Sequence, residues 1–196
     1  FDSSMMRRAS DRLGLVADLH RAIERGEISV AYQPIVSLDD ESIGGLEALV
    51  RWTHPARGNI KPNAFIHLAE ETGQIHRLGQ WVLETAMREI GGLEHGGHVS
   101  LAVNVSTRQL ERDDFADSVG DALRASGFDP ARLVLEITES ALMRDPETLL
   151  RQLQLLKSLD VTLAIDDFGT GYSSLAYLAR LPIDLVKIDR SFVAGV

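Results

Sequence analysis

Apolar positions along the chain switch repeatedly between a helical period and a strand period. From Met5 to Gly26, Leu13, Val16, Leu19 and Ile23 recur at helical spacing among charged neighbours, and Gly26 supplies a stop. Ile28 to Val36 alternates and is rich in β-branched residues, which predicts a strand that ends before Asp39-Asp40-Glu41. Gly45 to Trp52 predicts a second strand, followed by a loop over His54 to Asn59. Pro62 to Glu71 and Ile75 to Glu94 read as helices divided by Gly73, with Gly91-Gly92 and Gly96-Gly97 loosening the second. A regular βα rhythm follows: strand Val99–Val105, helix Phe115–Ser126 closed by Gly127, and strand Leu133–Ile137. A helix then runs to Leu159, with Asp145 placed to cap it and Pro146 in the first turn, where a missing N–H is harmless. Strand Val161–Ile165, helix Ser174–Ala179 and strand Leu185–Ile188 complete the pattern.

Short apolar strands between amphipathic helices predict an α/β fold with a largely parallel sheet. The count is six strands, whereas a complete (β/α)8 barrel needs about 250 residues. On pattern alone, an open doubly wound sheet fits 196 residues better.

Composition narrows the function classes. The chain is 44% apolar, enough for one domain with a core, and its formal net charge is −9. Without a basic stripe, a groove for a nucleic-acid polymer is not expected. There is no cysteine, which excludes disulfides and thiolate metal sites and fits a cytoplasmic setting. No apolar run approaches the roughly 18 residues of a membrane span, so no membrane segment is expected in this chain, although a parent protein could be anchored.

The strand ends carry the chemistry. Glu47 lies in the second strand, Asn104 and Glu136 near the ends of the third and fourth, Asp166 ends the fifth, and Lys187 with Asp189 ends the sixth. Residues two apart share a face. Glu47 therefore lies on the same face as Arg51, about 13 Å away along an ideal strand. In a parallel sheet these side chains gather at one mouth, where α/β proteins build sites. Three carboxylates and an amide oxygen form a hard oxygen set that suits Mg2+ or Mn2+ rather than zinc. Asp167, beside Asp166, could take a second ion, and two such ions about 3.5–4 Å apart suit phosphodiester hydrolysis. Lys187 and Arg51 would then offer positive charge to a phosphate.

Plainer readings exist for each feature. One acidic residue at a strand end is usually a cap or a turn, but recurrence over five strands argues against coincidence. "GTGYSS" lacks the third glycine of a dinucleotide fingerprint and the lysine of a P-loop. "NVS" at Asn104 matches a glycosylation sequon without a secretory leader, and the six histidines lack ligand spacing. Trp52 and Trp81 are read as packing residues.

Taken together, "YQPIV", "EALVRW", "NVS", "LEITES", "DDFGTGYSSL" and "VKIDRSF" resemble, in order, the EAL family of cyclic di-GMP phosphodiesterases. The resemblance implies a TIM-like (β/α)8 barrel in place of the open sheet, with an antiparallel first strand at Ile28–Val36. It implies hydrolysis of cyclic di-GMP to pGpG with Mg2+ or Mn2+. By motif position, Glu47, Asn104, Glu136 and Asp166 would hold one metal, and Asp166 with Asp167 the second. Lys187 would lie near the attacking water with Asp189 beside it, Arg51 would contact phosphate, and Gln33 would line the nucleotide site. Glu139, of opposite parity to Glu136, would steady the loop after Asp167, a loop tied in the family to homodimer formation. The opening residues 1–26 are similar to the linker helix after a GGDEF (diguanylate cyclase) domain, leaving 27–196 as the EAL domain.

The family continues past "SFVAGV" with further βα units and another metal-binding glutamate. The last units of the barrel are therefore expected to lie outside this sequence, with Leu185–Ile188 at an open edge. A chain limited to these residues is not expected to turn over substrate. The alternatives are a catalytically inactive cyclic di-GMP receptor and, last, an enolase-like Mg2+ enzyme.

Overall fold

The structure, a computed structural model, describes residues 3–93, 98–143, 146–169, 178 and 180–193. Helix α1 (Ser3–Ala22) ends in a turn at Gly26, whose φ of +67° suits a residue without a Cβ. Strand β1 (Ile28–Val36) then pairs antiparallel with β2 (Ile43–His54), from Ile28 opposite Trp52 to Val36 opposite Ile43.

The expected loop after Trp52 is instead a hairpin. β2 continues to His54, and β3 (Gly58–Ile60) folds back on it, with Trp52 opposite Ile60. The turn is fixed by buried His54, whose Nδ1 accepts the N–H groups of Ala56 at 3.1 Å and Arg57 at 3.2 Å. Gly58 takes φ +68° at its exit.

Helices α2 (Pro62–Glu71) and α3 (Ile75–Gly91) lead to β4 (Ser100–Val105). A short helix that the pattern did not predict, α4 (Thr107–Leu110), precedes α5 (Phe115–Ser126), which ends on left-handed Gly127. Strand β5 (Leu133–Thr138) leads through a 3-10 turn, Glu139–Met143, to α6 (Pro146–Lys157). β6 (Thr162–Phe168) and β7 (Leu185–Ile188) follow. β6 runs three residues beyond the expected end, so Asp166 and Asp167 lie within it. Asp145 and most of the expected helix Ser174–Ala179 lie outside the described residues.

The sheet order is β1-β2-β4-β5-β6-β7, with β3 beside β2, and every neighbouring pair from β2–β4 to β6–β7 is parallel. A doubly wound sheet reverses strand order at a switch point. This one never does, so the length-based preference for that topology is corrected: the chain winds in one direction as an incomplete TIM-like barrel. Its first strand is the antiparallel one.

Alternate residues decide the two faces. Leu101, Val103 and Val105, Leu133, Leu135 and Ile137, and Leu163 and Ile165 are buried against Phe65, Leu83, Met87, Val119, Leu153 and Leu156 from the helices. The opposite parity carries Asn104, Glu136 and Asp166 on the other face. Trp52 is buried as a packing residue, edge-on to Phe65 at 5.6 Å between ring centroids, and Trp81 packs half-buried on the same core.

Helix α1 is fastened to this body by polar contacts. His54 Nε2 lies 3.1 Å from Asp18 Oδ2, Gln74 Nε2 donates to the Val16 carbonyl at 3.2 Å, and Arg77 bonds the His20 carbonyl at 3.1 Å.

Candidate active site

Five strands each deliver one functional side chain to the same face: Glu47 from β2, Asn104 from β4, Glu136 from β5, Asp166 from β6 and Lys187 from β7. The register aligns them, with Asn104 opposite Glu136 and Thr138 opposite Asp166. Asn104 Nδ2 donates to Glu47 Oε1 at 2.8 Å. Lys187 Nζ donates to Glu136 Oε2 at 2.6 Å and lies 3.3 Å from Asp166 Oδ1 and 3.5 Å from Glu47 Oε2.

One ammonium therefore lies among three carboxylates and offsets part of their charge. The sequence reading assigned that work to metal ions and gave Lys187 a place by the water and phosphate. Among the described residues, no three Asp, Glu, His or Cys side chains are arranged to enclose an ion by themselves. The donor chemistry still fits Mg2+ or Mn2+. Oxygens of Glu47, Glu136 and Asp166 surround a point where a cation is already stabilised, and Asn104 joins them through its amide bond to Glu47.

Burial sets the charge states. Glu136 is 2% exposed, and burial, partly offset by the Lys187 hydrogen bond and charge, pushes its carboxyl up to about 7. For Lys187, burial acts to lower the pKa, but the Glu136 hydrogen bond and the Glu136, Asp166 and Glu47 charges outweigh it, so the ammonium is held more firmly than usual. Asp167 is raised, by burial first and then by the charges of Asp166 and Asp189. Its φ of +54° is an uncommon conformation for a residue with a Cβ.

The remaining expected residues surround this cluster. Arg51 shares the face of Glu47, and its Nη1 donates to the Val50 carbonyl at 3.0 Å. Gln33 is exposed on β1, directly opposite Glu47. Asp189 does not project freely: its carboxylate accepts from the Ser191 N–H at 2.9 Å and from the Ser191 hydroxyl, capping the turn Arg190–Phe192 and holding its pKa down. Buried Glu139 lies outside the cluster, and its Oε2 accepts the Gly169 N–H at 2.8 Å. Gly169 has φ +101°, and a Cβ there would stand 2.7 Å from the Phe192 ring.

A cavity of about 670 Å³ opens beside the carboxylates, lined by Glu47, Arg51, Asn63, Glu70, Asn104 and Thr138 among others. Sequence reasoning missed one part of its wall. Glu70 on α2 accepts a hydrogen bond from the Ser106 hydroxyl at 2.6 Å, and Ser106 caps α4 in a capping box with Gln109. The signal was present as Ser-x-x-Gln, "STRQ". Gly79, inside α3, leaves room for that glutamine: a Cβ would come 2.3 Å from Gln109 Nε2.

A singly wound α/β barrel with acidic side chains and a lysine at its strand ends defines the class of this protein. Within that class the chain belongs to the EAL domain family, which its residues 16–196 match. Among its relatives is the Pseudomonas aeruginosa "bifunctional diguanylate cyclase/cyclic di-GMP phosphodiesterase MucR", 45% identical over 98% of this chain and 28% of that protein. The "cyclic di-GMP phosphodiesterase NbdA" of the same organism is 43% identical over 100% of this chain and 25% of its own length. The chain thus spans about a quarter of the length of these relatives. A solved MucR phosphodiesterase in complex with cyclic di-GMP superposes with a TM-score of 0.86 at 44% identity, covering 92% of this chain and 74% of that one. The FimX EAL domain of Pseudomonas aeruginosa bound to cyclic di-GMP gives 0.82 at 27% identity over 92% of this chain and 73% of that one. Among the described residues, no helix is long and apolar enough to cross a membrane.

Proposed function

We propose that this domain hydrolyses cyclic di-GMP to linear pGpG. The observation that carries the reading is the joining of Glu47, Asn104, Glu136, Asp166 and Lys187 by hydrogen bonds and ion pairs on one face. The names of the two phosphodiesterase relatives and the MucR complex support it.

In this reading Glu47, Asn104, Glu136 and Asp166 hold one Mg2+ or Mn2+, and Asp166 with Asp167 a second. When bound, the ions acidify water and offset charge on the phosphate. The chain's own residues position the rest. Arg51, on the cavity wall, pairs with a phosphate oxygen, and Gln33 takes a base edge outside Glu47. Lys187, set among Glu136, Asp166 and Glu47, donates hydrogen bonds and lends positive charge at the phosphate. Asp189 acts by holding the turn behind Lys187, and Glu139 by holding Gly169 after Asp167.

A cytoplasmic setting, a homodimer, an upstream GGDEF-type domain and residues 1–26 as its linker belong to the same proposal. MucR's two named activities and the quarter-length coverage support the tandem arrangement. The test is incubation of the full-length protein with cyclic di-GMP and Mn2+, with chromatographic product analysis. pGpG is expected. Folded protein that binds the dinucleotide in calorimetry but forms no pGpG would overturn hydrolysis and leave a receptor.

A further inference from the structure

Ser106 has every polar atom engaged. Its N–H donates to Gln109 Oε1 at 3.1 Å, and its carbonyl accepts the N–H groups of Gln109 at 3.0 Å and Leu110 at 3.3 Å. Its hydroxyl donates to Glu70 Oε1 at 2.6 Å and accepts the Arg108 N–H at 3.2 Å. An ionised carboxylate can only accept. Glu70 therefore takes the hydroxyl hydrogen and leaves an oxygen lone pair aimed at Arg108, and an O–H···O− bond of this length belongs to the strong, charge-assisted kind.

Two residues upstream, Asn104 presents its amide to the site. Because Nδ2 donates to Glu47, Oδ1 remains as the acceptor of that side chain. Asn104 lies near the end of β4 and Ser106 caps α4 two residues on, so the bonds that fix Ser106 fix the chain next to Asn104. Gln109 is 5% exposed and packs where a Cβ on Gly79 would collide, which blocks sliding of α4. Glu70 is thus the one contact in this chain of bonds that comes from a separate helix, α2.

Glu70 lines the cavity but carries the wrong charge to bind a phosphate diester directly. We propose that Glu70 is a positioning residue: through the Ser106 hydroxyl it sets the orientation of the Asn104 amide toward Glu47. The proposal rests on the phosphodiesterase reading given above and adds to it a helix α2 residue that acts at second hand.

The test compares Glu70→Ala, Glu70→Gln and Asn104→Ala in the full-length protein with cyclic di-GMP and Mn2+. Glu70→Ala is expected to lower kcat by roughly 10–100-fold, as the loss of outer supports does at such sites, with KM little changed. Glu70→Gln keeps an acceptor at the same reach and is expected to restore most of that loss. In the Asn104→Ala background, Glu70→Ala should add less than about twofold, because the two act through one group. A folded Glu70→Ala variant with wild-type kcat, or a loss that multiplies fully with Asn104→Ala, overturns the proposal. If Glu70→Ala does not fold, Ser106→Thr against Ser106→Ala makes the same comparison, with only the hydroxyl-bearing variant expected to keep kcat. An inert wild-type protein would count against the phosphodiesterase reading instead. Amide exchange then decides the positioning: protection of the 106–110 N–H groups falls in Glu70→Ala and not in Glu70→Gln, and unchanged protection in both overturns it.

Discussion

Lys187 on β7 and Glu136 on β5 meet at 2.6 Å across the strand that separates them, β6. The contact joins the last described strand to the middle of the sheet, and it gathers Asp166 and Glu47 around the same ammonium. Edge strand β7, whose Leu185, Val186 and Ile188 are all half-exposed or more, owes its hold on the sheet partly to this pair.

Lys187→Met is therefore expected to affect both function and fold. Removing one partner of a fully buried pair costs roughly 3–5 kcal/mol, and since Lys187 is one-third exposed, about 2 kcal/mol is expected here. Urea denaturation of chelator-treated protein measures it, alongside loss of pGpG formation. Unchanged stability would show that the lysine serves chemistry alone.

The raised Glu136 carboxyl predicts a pH dependence with a definite sign. Below its ordinary value of 4.5 the group is protonated in folded and unfolded chains alike. Between 4.5 and about 7 the unfolded chain ionises while the folded one resists, so stability is lost as pH rises through that window. Glu136→Gln should flatten this part of the profile in chelator-treated protein, whatever the substitution does to absolute stability by weakening the Lys187 pair. Parallel profiles for the two proteins would refute it.

Gly169→Ala should disturb the segment after the paired aspartates. A methyl group there meets the Phe192 ring at 2.7 Å, and φ +101° disfavours any side chain. A loss of about 1–3 kcal/mol is expected, with reduced turnover. Gly169→Ala/Phe192→Ala should recover only the steric part, since the backbone strain remains. Full recovery in thermal melts would assign the effect to the ring alone.

His54→Leu should free α1. The imidazole accepts two turn N–H groups through Nδ1 while Nε2 faces Asp18, so a leucine leaves all three without that partner. About 1–2 kcal/mol of stability should be lost, with faster amide exchange along Asp18–Ala22 and in the 54–58 turn. Exchange confined to the turn would mean that α1 is held by its other contacts.

Much of this was legible in the one-dimensional pattern. The bounds of β1, α2, α5 and β7 follow from residue periodicity and from stops such as Gly127, because a strand or helix that buries one face must repeat apolar residues at its own period. The strand parity of Glu47, Asn104, Glu136, Asp166 and Lys187 was legible for the same reason. The β2–β3 hairpin was not, because His54 reads as one more scattered histidine until its ring is seen to hold the turn. Asp189 was placed beside Lys187 by its motif, but that it also caps its own turn was not legible, because that role depends on the local backbone path.

By itself, the sequence determined which residues could face one mouth, since side-chain alternation is a property of each strand alone. Only the tertiary structure decided the winding of the sheet, the meeting of Lys187 with three carboxylates and the reach of Glu70 to Ser106. Those depend on how strands order and helices pack across long separations, and no local period encodes that.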